Sequence, residues 1–226
     1  MTTIADNLQR VRARISEACT ACARPAEAVT LLAVSKTFGA DAVRAAHAAG
    51  QGAFGENYIQ EAVDKITALA DLPLQWHCIG PIQSNKTRLV AAHFDWVHSV
   101  DRLKIAQRLS EQRPADMAPL QVCIQVNIDG GETKAGVKPG EVLELAQQIQ
   151  SLPRLRLRGL MTIPEPAADF AAACAVHARA RALFDSLNSQ GLGLDTMSMG
   201  MTGDLEAAVH AGSTMVRVGT AIFGKR

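Results

Sequence analysis

A chain of 226 residues with 48% hydrophobic side chains can build a barrel-sized core and fits no disordered class. Its 23 basic and 22 acidic residues leave a net charge of +1, which excludes a generally basic surface for nucleic acid. No apolar run approaches the ~20 residues that span a bilayer, and residues 2–18 carry Asp6, Arg10, Arg12, Arg14 and Glu17, so no leader peptide and no membrane partner are expected. The odd number of cysteines, widely spaced, points to a reducing compartment, and a cytoplasmic protein is the expectation.

Ile4, Leu8, Val11, Ile15 and Ala18 recur at helical steps, which predicts an N-terminal helix with one apolar stripe. Cys19-Thr20-Ala21-Cys22 matches C-x-x-C, but no second pair accompanies it, so it reads as the end of that helix and no metal is expected. Apolar or β-branched runs then predict strands over 30–35, 53–55, 74–79, 95–100, 120–128, 155–161, 196–199 and 215–218. Helical segments fall between them at 41–49, 57–70, 86–92, 102–113, 141–150, 167–188 and 204–211. Asp101 is placed as the N-cap of the segment 102–113, and Asn57 could cap the one after the second strand. Strands alternating with helices imply a parallel sheet, and eight such units without a break imply one closed (β/α)8 barrel over residues 1–226. An open doubly wound sheet is the rival.

Ligands of such barrels sit at the C-terminal ends of the strands. Lys36 directly follows Leu31-Leu32-Ala33-Val34-Ser35, and is expected to be held away from bulk water, which would depress its pKa and make it a Schiff-base nucleophile. The bland alternative is a lysine snorkelling from a strand end. Glu56 and Asn57 are polar groups at the end of the second strand. His77, between Trp76 and Cys78, reads as a satisfied core histidine rather than a base, and Cys78 and Cys123 read as buried thiols. In the segment 130–136 Lys134 reads as solvated.

The last two strands carry the strongest signal. Met199-Gly200-Met201-Thr202-Gly203 leads into a helix, where small and hydroxyl residues can cradle a phosphate. Arg217 interrupts the apolar run Val216-Arg217-Val218, which is costly unless it meets a partner or ligand. Gly219-Thr220 adds backbone N–H groups and a hydroxyl. A lysine at the first strand end and a phosphate site after the seventh and eighth suit a phosphorylated carbonyl compound. Pyridoxal 5′-phosphate (PLP) and a sugar phosphate both qualify.

Several stretches together resemble one family. They are Leu32-Ala33-Val34-Ser35-Lys36, Phe54-Gly55-Glu56-Asn57-Tyr58, Trp76-His77-Cys78-Ile79-Gly80, Gln83-Ser84-Asn85-Lys86, Ser198-Met199-Gly200-Met201-Thr202-Gly203-Asp204 and Val216-Arg217-Val218-Gly219-Thr220. They resemble, in order and over the whole chain, the pyridoxal phosphate homeostasis protein family, which has the TIM-type barrel of the alanine racemase N-terminal domain. The resemblance implies PLP as cofactor, held as a Schiff base on Lys36. It places Thr202, Gly219 and Thr220 on the phosphate, with Ser198 close by, Arg217 facing the pyridine nitrogen and Asn57 beside the ring. Lys134 resembles a lysine linked in the family to a second PLP site. Thr202 stands where a serine is common, which keeps the hydroxyl.

The resemblance further implies a PLP carrier in intracellular vitamin B6 and amino-acid homeostasis without evident turnover. Apo PLP-dependent enzymes would be its recipients. Related racemases use a second domain that supplies a tyrosine, and its expected absence also favours a monomer and leaves no second base in view. The alternatives are a PLP-dependent racemase or lyase using Lys36 as base, with His77 as the second group, and a cofactor-free Schiff-base aldolase.

Overall fold

The N-terminal stripe has to be covered, and the fold is arranged so that it is. The computed structural model describes residues 2–131 and 134–224. Helix α1 (Ile4–Ala21) is started by Thr3, whose hydroxyl accepts the Asp6 N–H at 3.1 Å while the Asp6 carboxylate accepts the Thr3 N–H at 3.0 Å. Leu8, Val11, Ile15, Ala18 and Cys19 are buried along one side, and Cys22 stands at the C-cap, so the C-x-x-C pair closes the helix. All five cysteines are free thiols.

The strands are β1 (Thr30–Val34), β2 (Ala53–Glu56), β3 (Gln75–Cys78), β4 (Trp96–Val100), β5 (Leu120–Val126), β6 (Leu155–Thr162), β7 (Thr196–Ser198) and β8 (Met215–Val218). Between and after them lie α2 (Ala40–Ala48), α3 (Ile59–Ala68), α4 (Thr87–His93), α5 (Leu103–Gln112), α6 (Val142–Gln150), α7 (Phe170–Ser189), α8 (Leu205–His210) and α9 (Thr220–Phe223). The strands pair in chain order in one closed barrel, with β8 parallel to β1 and Leu32 opposite Arg217. This is the (β/α)8 arrangement, and closure rules out the open doubly wound sheet. Helix α1 is the addition: it packs across α2, α8 and α9 over the seam where the barrel closes.

Two caps differ from expectation. Arg102, not Asp101, occupies the N-cap of α5, without a side-chain bond, and Asp101 pairs with the Arg102 guanidinium at 2.6 Å. Tyr58 rather than Asn57 precedes α3, so Asn57 is left for the strand end. Helix α7 starts later than the sequence pattern suggests because Asp169 caps it, accepting the Ala172 N–H at 2.8 Å. The short helix α9 carries no periodic signal of its own and was not expected.

Side chains alternate along each strand, so residues two apart share a face. The row Leu32 and Val34 points inward, joined by Ile79 and Met215 in a cluster separate from the outer core. Arg217 continues the Met215 row of β8 toward the C-terminal mouth, and Lys36 lies in the turn just beyond β1. Among the described residues, no helix is long and apolar enough to cross a membrane.

Leu8 is fully buried beneath α1. Leu8→Ala should therefore lower the unfolding free energy by about 2–5 kcal/mol in chemical denaturation. A change below about 0.5 kcal/mol would show that α1 is not part of the cooperative core.

Candidate functional site

A cavity of about 680 Å³ opens at the C-terminal mouth, a volume suited to a small cofactor. Lys36, Asn57, Thr202, Arg217, Gly219 and Thr220 all line it. Val34, Phe38, Ile79, Ile163 and Met201 supply the apolar wall. Six of the residues singled out in the sequence thus share one cavity. Ser198 does not line it; its fully buried hydroxyl lies behind Arg217.

Lys36 departs from expectation in one respect. Its side chain is exposed rather than held away from water. The reason is local: β1 ends at Val34, and Lys36 and Thr37 form the middle of a turn in which the Phe38 N–H donates to Ser35 O at 3.0 Å. Its Nζ has no hydrogen bond or ion pair among the described residues, so the amine is available to a ligand in the cavity.

In the same lining, the Thr202 and Gly203 N–H groups make no backbone hydrogen bond. The leading N–H groups of α9, at Gly219-Thr220, lack intrahelical acceptors as at any helix start. Helices α8 and α9 are too short to add much dipole, so anion binding here rests on N–H groups and the hydroxyls of Thr202 and Thr220. Arg14 of α1 holds this loop from behind, donating to Thr202 O at 3.0 Å and pairing with Glu206 at 2.8 Å. Asp204 ties the loop down by accepting the Met201 N–H at 2.6 Å and bonding His177 Nε2 at 2.9 Å. Gly219 lies against the first strand: a Cβ there would meet Val34 O at 3.1 Å.

Arg217 is buried and fully engaged on one side. Its Nη1 donates to Ser198 O at 2.6 Å and to Ser198 Oγ at 2.7 Å, and its Nη2 to Thr162 O at 2.8 Å. That leaves Nε–H and one Nη2–H for the cavity. Burial pushes its pKa down to about 10, so it remains a cation at neutral pH. Beside it, the buried Asn57 Oδ1 has no protein partner. A side chain at Gly80 would collide with the Asn57 backbone, so Gly80 fixes where Asn57 stands.

Sequence reasoning missed what lies beneath. Ser198 Oγ bonds His98 Nδ1 at 2.8 Å, His98 Nε2 bonds His77 Nδ1 at 2.9 Å, and His77 Nε2 reaches Gln75 Oε1 at 3.0 Å. Arg217 can only donate, and an amide oxygen can only accept, so both ends assign the protons. Ser198 donates to His98, His98 through Nε2–H to His77, and His77 through Nε2–H to Gln75. Both histidines are neutral; burial holds His77 down to about 3 and His98 well below its ordinary value. His77 stacks on Trp96 with centroids 5.2 Å apart and does not line the cavity. The available signal was a second inward polar residue, His98, on the fourth strand. Cys78 and Cys123 are buried thiols, as expected, with burial raising each to about 12.

Lys134 is not simply solvated. Its Nζ pairs with Asp129 at 2.9 Å and Glu165 at 3.1 Å and donates to Ile163 O at 3.1 Å. Glu132 and Thr133 of the same loop lie outside the described residues.

The model of the alanine racemase N-terminal domain family matches residues 4–226. A pyridoxal phosphate homeostasis protein of Pseudomonas aeruginosa is 62% identical over 226 residues, covering 100% of this chain and 97% of that one. Its namesake in Escherichia coli K12 is 53% identical over 229 residues, covering 100% and 98%. Among solved structures, PipY of Synechococcus elongatus PCC7942 with PLP bound superposes with a TM-score of 0.86 at 38% identity, over 98% of this chain and 100% of that one.

The neutral histidines make stability depend on pH. His77 titrates near 3 when folded against about 6.5 unfolded, so the unfolded chain binds more protons in between. Stability is therefore lost as pH falls from about 6.5 toward 3, by up to about 1.4 kcal/mol per unit for each such histidine. Urea unfolding between pH 6.5 and 4.5 should show a shallower dependence for His77→Gln than for the wild type. Equal slopes would show that His77 takes up a proton in the folded state.

Proposed function

The chain belongs to the pyridoxal phosphate homeostasis protein family, built on the alanine racemase N-terminal domain barrel, and from that membership we propose that it holds PLP as a Schiff base on Lys36 and serves intracellular PLP and amino-acid homeostasis without catalytic turnover. The observation that carries this reading is one cavity combining the unpaired Lys36 amine, the inward-facing Arg217 and an N–H and hydroxyl cradle at 202–203 and 219–220. The residues fit PLP. The cradle suits its phosphate, and the orphaned Asn57 Oδ1 and the spare Arg217 donors suit the polar edge of a pyridine ring.

In this reading Thr202, Gly203, Gly219 and Thr220 bind the phosphate. Arg217 faces the ring nitrogen, where a cation disfavours protonation and weakens the ring as an electron sink. Ser198 supports Arg217 from behind, and Asn57 borders the ring. With PLP bound, Lys36 would be the amine placed to condense with its aldehyde, the aldehyde oxygen leaving as water with two protons from the amine. PLP supplies the reactive aldehyde and a conjugated ring.

The proposal of no turnover rests on the lining. Lys36 and Arg217 are its only titratable side chains among the described residues. Two-sided proton transfer needs a second base within hydrogen-bond reach, and His77 is sealed in the barrel interior. The whole chain acts in this reading as one PLP-binding unit, a monomer in the cytoplasm that passes PLP to apo enzymes. Free thiols and, among the described residues, few exposed large apolar side chains (Tyr58, Ile163, Phe170 and Met201) are in keeping with it.

Reconstitution with PLP tests the reading. The wild type should develop a Schiff-base absorption band, lost in Lys36→Ala, and should restore activity to an apo PLP enzyme on mixing. A protein that stays colourless with PLP would overturn it in favour of a cofactor-free aldolase. Sustained loss of optical rotation from L-alanine would replace the carrier with a racemase. Arg217→Ala should weaken PLP retention about tenfold or more, in line with losing a charged hydrogen bond. Unchanged affinity and spectrum would remove Arg217 from the ring.

A further inference from the structure

The turn that carries Lys36 is pinned from below by a buried ion-pair cluster that the cavity itself does not contain. Lys65, on α3, has a side chain only 4% exposed. Its Nζ donates to Ser35 O at 2.9 Å and pairs with Glu56 Oε1 at 2.6 Å and Glu61 Oε1 at 3.3 Å. Ser35 Oγ donates to the same Glu56 oxygen at 2.6 Å. On the other side of Lys36, the Thr37 N–H donates to Glu61 Oε1 at 2.6 Å.

Both neighbours of Lys36 are therefore tied to one charge cluster. The tie has work to do, because Thr37 has φ +71°, the left-handed region that a β-branched residue rarely adopts. A conformation of that kind is strained and persists only where the surroundings fix it. A buried ion pair is itself a poor source of stability, since desolvation consumes much of its Coulomb gain. A cation and a carboxylate kept dry beside a strained turn thus call for a positional role.

We propose that Glu61, Lys65 and Glu56 are positioning residues that hold the Ser35–Thr37 turn so that Lys36 Nζ meets the aldehyde carbon of the cofactor. This rests on the reading that Lys36 condenses with PLP. Small displacements of a reacting group slow a reaction steeply without weakening the binding of the remainder of the ligand.

Glu61 is the variant of choice, because its side chain is 37% exposed and its loss leaves the core intact. The rate of Schiff-base formation is followed by absorption after mixing with PLP. Affinity is measured separately with pyridoxine 5′-phosphate, which has the ring and phosphate but no aldehyde. Glu61→Ala should form the Schiff base about tenfold more slowly, with pyridoxine 5′-phosphate affinity within twofold of wild type. Glu61→Gln, which keeps an acceptor for the Thr37 N–H, should recover most of the rate. The double variant Glu56→Gln with Lys65→Met removes the ion pair without stranding a charge and should be slowed as Glu61→Ala is. A Glu61→Ala rate within twofold of wild type overturns the proposal. So does a slow rate accompanied by an equal loss of pyridoxine 5′-phosphate affinity, which marks general damage to the cavity. A wild-type protein that binds pyridoxine 5′-phosphate but forms no Schiff base overturns the Lys36 reading together with this one.

Discussion

The pairing of β8 with β1 is the contact on which everything else depends. It closes the barrel and sets Leu32 opposite Arg217 and Ala33 opposite Val218. Through that register the end of the first strand meets the end of the last, although most of the chain lies between them. Lys36 then shares one cavity with the cradle at 219–220, and Gly219 can approach Val34 because it has no side chain. Helix α1 covers the same seam from outside, and Arg14 reaches from it to Thr202. One strand pairing thereby gathers an amine, a cation and an anion cradle that are scattered in the sequence.

Around that seam the interior departs from the branched apolar layers usual in such barrels. A polar column runs from Arg217 through Ser198, His98 and His77 to Gln75, and a second buried cluster joins Lys65 to Glu56 beneath β1 and β2. Every link of the column has a partner, which is the condition for a buried polar network to be tolerable. Asn57 Oδ1 and Glu56 Oε2, at the end of β2, are buried without protein partners, as are Gln112 Oε1, Asp129 Oδ1, Thr162 Oγ1 and His177 Nδ1 in other parts of the fold.

Much of the barrel was legible in the sequence because strands buried on both faces read as unbroken apolar runs. Lys36 and Arg217 stood out for the complementary reason, as charges at the edge of such runs. The exposure of Lys36 did not, because β1 stops two residues before it and the turn at 36–37 that follows is met by Glu61 and Lys65 of α3, beyond the second strand. Lys65 gives no local signal in the sequence, and only the placement of α3 beside the ends of β1 and β2 buries it. His77 and His98 lie on separate strands, and nothing local announces that barrel closure will set their rings in contact. The misplaced caps at Asp101 and Asn57 have a simpler cause: several polar residues precede each helix, and backbone geometry, not residue type alone, selects the cap.

In the proposed function Lys36 is the covalent anchor for PLP. Borohydride reduction of the PLP-loaded protein followed by peptide mapping tests it most directly, because reduction fixes the Schiff base wherever it stands. One dominant phosphopyridoxyl adduct is expected, on the peptide that carries Lys36. A dominant adduct on Lys134, Lys86 or another lysine, with Lys36 unmodified, would contradict it.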